Sequence, residues 1–184
     1  MQWFRRARPA TVSWNLAKTA VEIVVFWGVF LFVLPPWVVL VASRLGIPTF
    51  VSDTSRVLAA LLFVGASTLG LVSGFTMAVR GEGTPVPLDA PRRLVVSGPY
   101  AWVRNPMAIA GLAQGMAVAL WHGSVAVCAY VIAGGVLWHL VVRPYEEGDL
   151  ARTFGTAFLE YKGRVPLWLP CRPDSAPRKA AGDS

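Results

Sequence analysis

The chain has 184 residues, 55% hydrophobic and only 15% charged, and its mean hydropathy of +0.53 excludes an ordinary water-soluble domain. At 19.9 kDa the apolar segments consume most of the length, which excludes a separate soluble catalytic domain and leaves any site to be built from helix ends and short loops. A net charge of +7 would suggest nucleic acid in a soluble protein. In a membrane chain, basic flanks that set orientation and meet anionic head groups account for it, so no nucleic-acid partner is expected.

Taken in chain order, the segment from Met1 to Arg8 lacks the short apolar core and small-residue cleavage site of a signal peptide, and none is expected. The first apolar run, about Thr19 to Leu45, is long enough to cross ~30 Å of hydrocarbon, and Pro35-Pro36 within it predict a kink or break. A second span runs from about Val57 to Val79, with Gly65, Ser67, Gly70, Ser73 and Gly74 supplying the small side chains on which membrane helices pack. After Arg80 a loop containing Pro85, Pro87, Pro91, Pro99 and Pro106 cannot be a continuous helix. Met107 to Val142 reads as a helical hairpin of two spans turning at Trp121-His122-Gly123-Ser124, the third span short. Beyond Arg143-Pro144 comes an amphipathic, charged segment to Lys162, then Val165 to Pro170, then a Pro/Ser/Lys tail, 171–184, that reads as disordered.

The expected architecture is therefore all-α: an integral membrane bundle of about four transmembrane helices, the second pair a hairpin, plus a cytosolic C-terminal helix, forming one domain over 1–170. Charge supports the topology. Arg5, Arg6, Arg8 and Lys18, then Arg80, Arg92, Arg93 and Arg104, then seven C-terminal Lys and Arg fall on one face, against Arg44 and Arg56 on the other. Both termini are expected to be cytoplasmic.

Two polar clusters border the hairpin, Gly98 to Met107 before it and Arg143 to Pro170 after it, and its turn brings them together. Glu146 and Glu147 sit at a membrane boundary, where carboxylates are costly unless solvated or paired. They are either a solvated helix end or candidates for binding a cation. Cys128 and Cys171 have no metal spacing or pairing logic, and no metal site is expected. Of the two histidines, His139 is the better placed for a base, and His122 falls on the opposite turn.

GPYAWVRNPM with Gly111, followed after a hairpin by YEEGDLARTFGTAFLEYKGRVPLWLP, resembles the membrane-bound isoprenylcysteine carboxyl methyltransferases and phospholipid N-methyltransferases over about residues 80–170. The resemblance implies a cytoplasm-facing pocket for S-adenosylmethionine and a lipophilic acceptor entering from the bilayer. It assigns to the cofactor Tyr100, Arg104, Asn105, Pro106, Met107, Gly111, Glu146, Glu147, Arg152 and Tyr161, with Glu147 and Arg104 as the catalytic pair. The cofactor's sulfonium and amino group would face the acids, and its carboxylate would face Arg104 or Arg152. Trp102 is more simply an interfacial anchor. Asn105 stands where isoprenylcysteine enzymes carry His, and Ala108 where a Tyr is usual. Likeness to bacterial relatives places the chain in a bacterial inner membrane, among membrane lipids, with its acceptor and oligomeric state open. A nicotinamide-dependent membrane enone or sterol reductase, which carries a similar Arg/Asn/Pro element, and a noncatalytic membrane scaffold are the alternatives.

Overall fold

The structure, a computed structural model, describes residues 11–82 and 91–170. Arg5, Arg6 and Arg8, most of the proline-rich stretch of the long loop, and the tail expected to be disordered lie outside the described residues.

Three helices are long and apolar enough to cross a membrane: α1, Leu16–Arg44; α2, Asp53–Gly81; and α4, Val125–Phe154. Between the last two lies α3, Pro106–His122, of 17 residues, and the chain closes with α5, Thr156–Arg164. This is the expected helical membrane bundle, with α3 and α4 as its hairpin and one short member. Most large apolar side chains of α1, α2 and α4 point outward, as lipid-facing surfaces do.

The prolines of α1 do not break it. Ahead of them, Ile23–Val33 is wound in π-helical turns, with Leu34 N–H bonding Val29 O five residues back. In that register the carbonyl left unpaired by the missing N–H of Pro35 is that of Phe30. The Tyr130 hydroxyl of α4 donates to that oxygen at 3.3 Å, supplying from a neighbouring helix the partner that bilayer hydrocarbon cannot. The same device recurs in α4, where Trp138–Val142 winds into π turns just before Pro144. The helix therefore runs on into its charged end instead of stopping at the proline.

Small residues set the helix spacing. Ala59, Ala66 and Ser73 of α2 and Ala110, Ala117 and Ala119 of α3 are buried, and Gln114 Nε2 donates to Ser67 Oγ at 2.8 Å across the α2–α3 seam. Such interhelical bonds contribute about 0.6 kcal/mol in a membrane. The far ends of the helices are level, because Phe50 N–H bonds Gly123 O at 2.8 Å. Gly123 turns the hairpin at φ +57°, and a Cβ there would stand 2.6 Å from Val51 N, so a side chain is excluded twice over.

The near ends are not level. Gly70 lies against Ala110, and Gly135 against Leu112. With 1.5 Å of rise per residue, α3 therefore stops roughly 10 Å short of the end of α2 and roughly 20 Å short of the end of α4. The recess above the start of α3 is filled by the turn Gly98–Ala101, residues 102–105, α5 and the segment 165–170.

Candidate functional site

The floor of the recess is the start of α3. Asn105 is its N-cap, its Oδ1 accepting the Ala108 N–H at 3.0 Å, and buried Pro106 takes the first helical position. Both choices are the ones a helix start favours, since the cap satisfies an orphan donor and proline has no N–H to lose. Asn-Pro therefore fixes where the chain leaves the helix, and so aims Arg104, the residue before it. Met107 follows as a half-buried residue of the first turn. Gly111 lies one turn deeper, where a Cβ would stand 2.0 Å from the Trp27 ring of α1; its absence lets the edge of that indole reach the α3 backbone.

Arg104 meets Glu147 across the recess. Its Nη1 bonds Glu147 Oε1 at 2.6 Å, with the two side chains 13% and 12% exposed. Glu147 is held from two other directions as well, by Lys162 Nζ at 2.6 Å on Oε2 and by Arg143 Nε at 3.7 Å from Oε1. Three cations around one buried carboxylate leave the cluster with excess positive charge, and the Glu146 carboxyl lies beside it. Among the described residues no cation lies within ion-pairing distance of Glu146. Arg104 Nε is buried without a hydrogen-bond partner, a donor that an anionic group could satisfy.

Tyr100 closes the side of the site. It is buried, its backbone carbonyl accepts the Tyr161 hydroxyl at 2.7 Å, and its own phenol is pushed well above the usual range, first by burial and then by electrostatic interaction with its acidic neighbours Tyr161 and Glu146. It remains a neutral phenol beside the acids. The backbone of Arg104 is fixed too, its N–H donating to Pro166 O at 2.9 Å.

The structure thus brings together Tyr100, Arg104, Asn105, Pro106, Glu146, Glu147 and Tyr161, with Met107 at the margin and Gly111 beneath. Arg152 stands apart, an exposed side chain paired with Asp149 of its own helix. Sequence reasoning missed Lys162 and Arg143. Arg143 lies four residues before Glu147 on one helix, a spacing that signals pairing, whereas nothing local marks Lys162, which arrives from α5. His139 is engaged, not idle: its Nδ1 accepts the Trp168 indole N–H at 3.2 Å.

A separate apolar cavity of about 400 Å³ opens at the far half of the bundle, lined by Leu31, Phe63, Val64, Val118, Trp121 and His122 among others. It is remote from the charged recess and offers none of its chemistry.

The geometry defines an integral membrane protein with a mixed-charge centre recessed into one end of a helical bundle. The chain belongs to the phospholipid methyltransferase family, whose model matches residues 54–157. That match covers α2, α3, α4 and the start of α5, and it includes every residue assigned to the site except Tyr161, with Lys162 also lying just beyond it. No curated protein matches the chain. Membership carries the coarse assignment, a membrane methyltransferase.

Proposed function

We propose that the protein uses S-adenosylmethionine to methylate a lipophilic acceptor resident in the bilayer, with the recess facing the cytoplasm. The observation that carries this reading is the pairing of Arg104 with Glu147, which joins the two polar segments into one buried centre containing both signs of charge. A zwitterionic cofactor with an added sulfonium needs that combination.

The residues present fit such a group. Glu147 is already committed to three cations, so its role is to hold Arg104, Arg143 and Lys162 in place. Glu146, with no cation of its own, is the anion available to the cofactor's ammonium and sulfonium. Arg104, with its unpartnered Nε, is the donor available to its carboxylate. Tyr100 and Tyr161 offer aromatic faces beside them. Arg152 has no part in this arrangement.

When bound, the cofactor supplies an activated methyl group, and the chain supplies orientation and exclusion of water. The Asn105 cap and the Pro166 hydrogen bond fix the backbone that carries Arg104, and Arg104, Arg143 and Lys162 hold Glu147 in turn. The distribution of Lys and Arg supports a cytoplasmic orientation.

The test is titration of S-adenosylmethionine and, separately, reduced nicotinamide dinucleotide phosphate into the detergent-purified protein by calorimetry. Saturable binding of the methyl donor alone is expected. Binding of the nicotinamide instead would identify a reductase, and binding of neither by a folded protein would leave a noncatalytic scaffold.

A further inference from the structure

Residues 165–170 leave α5 and bridge Arg104, just before α3, to the face of α4. They are attached at three points. Pro166 O accepts the Arg104 N–H, Leu167 is buried, and Trp168 is seated on α4, where it packs edge-on against Trp138 with ring centres 5.5 Å apart and stacks on His139 at 5.8 Å. An indole N–H can only donate, so in the 3.2 Å contact from Trp168 Nε1 His139 Nδ1 is the acceptor. The Arg143 Nη1 reaches the same ring, 3.3 Å from Nδ1 and 3.2 Å from Nε2. Arg143 in turn lies on Glu147. The segment therefore touches the charged centre from both sides, through the Arg104 backbone at one end and through His139 and Arg143 at the other.

We infer that Trp168 and His139 are positioning residues, which latch the segment 165–170 across the recess and thereby hold Arg104 and Arg143 on Glu147. The latch depends on one hydrogen bond more than on ring packing. Trp168→Phe keeps a ring against Trp138 and removes the donor. His139→Leu removes the acceptor, and His139→Asn returns an oxygen near the position of Nδ1. The inference rests on the cofactor reading for its effect on binding, but not for the latch itself.

Two measurements on the full chain in detergent separate these. Hydrogen exchange of the peptide containing the Arg104 amide reports the latch without any ligand. Trp168→Phe and His139→Leu are expected to speed that exchange about fivefold, with His139→Asn close to wild type. Unchanged exchange in Trp168→Phe overturns the latch, and this variant decides alone if His139→Leu fails to fold. Calorimetric titration of S-adenosylmethionine reports positioning, and the same two variants are expected to bind about three- to tenfold more weakly, with His139→Asn restoring affinity. Faster exchange with unaltered affinity overturns the positioning role. A wild type that fails to bind overturns the cofactor reading, and the exchange result still judges the latch.

Discussion

Arg104 and Glu147 are 43 positions apart in the chain and bond at 2.6 Å. One is fixed by the start of a short helix and the other by the extension of a long one, so the bond forms only when the hairpin is packed in its native register. Breaking a buried pair from one side leaves an uncompensated charge, which costs on the order of 3 kcal/mol. Glu147→Gln strands three cations and is expected to lower the thermal unfolding midpoint in detergent and abolish S-adenosylmethionine binding. Lys162→Ala removes only a partner that is 43% exposed and is expected to cost less than about 1 kcal/mol, shrinking further in high salt. Equal losses in the two variants would contradict this hierarchy.

Tyr161 ties α5 to the loop through the Tyr100 carbonyl. Tyr161→Phe leaves that buried oxygen without its donor at nearly constant volume, and a loss of about 1–2 kcal/mol in unfolding free energy is expected. Chemical denaturation in a mild detergent measures it. An unchanged midpoint would mean that another donor takes over.

Gly111 and Trp27 form a lock of a different kind, since a single added Cβ would overlap the indole. Gly111→Ala is expected to destabilise by about 1–3 kcal/mol through overpacking, and Trp27→Leu in the same chain to recover part of that loss. Additive effects in the double variant, measured by thermal unfolding, would show that the two sites do not contact.

Tyr130→Phe tests the proline accommodation in α1. Loss of the hydroxyl leaves the Phe30 carbonyl without its donor, and destabilisation of about 0.5–1.5 kcal/mol is expected. The matching control is Pro35→Ala, in which the helix recovers its own N–H. In that background Tyr130→Phe should cost less, and an equal cost would place the role of Tyr130 elsewhere.

Much of this arrangement was legible in the sequence because hydropathy and turn chemistry are local. The apolar runs and the Gly123 turn each announce themselves within a few residues, and the hairpin turn alone is enough to bring Tyr100, Arg104, Glu146 and Glu147 to one end. The readings that changed depend on where an element points or on what a distant element supplies. The prolines at 35 and 36 predict interruption by local rules, but a hydroxyl from a helix about a hundred residues away, with the chain wound into π turns, keeps α1 whole. Arg152 and Lys162 look equivalent as basic residues after the acids. Helix phase turns the first outward to Asp149, while the turn between α4 and α5 brings the second back over Glu147. No periodicity within either segment encodes that difference.

The 17-residue length of α3 also sets an energetic boundary condition on any lipophilic acceptor. Pulling an acyl chain out of hydrocarbon into water costs about 0.8 kcal/mol for each methylene exposed, so a polar centre raised on a projecting domain would tax each turnover by several kcal/mol of extraction. Because α3 stops short, the charged groups lie below the ends of α2 and α4, and an acceptor of the kind proposed above would not have to be lifted clear of the bilayer to reach them. On that proposal an amphiphile arriving sideways would present its polar end there while its methylenes stay solvated by their neighbours.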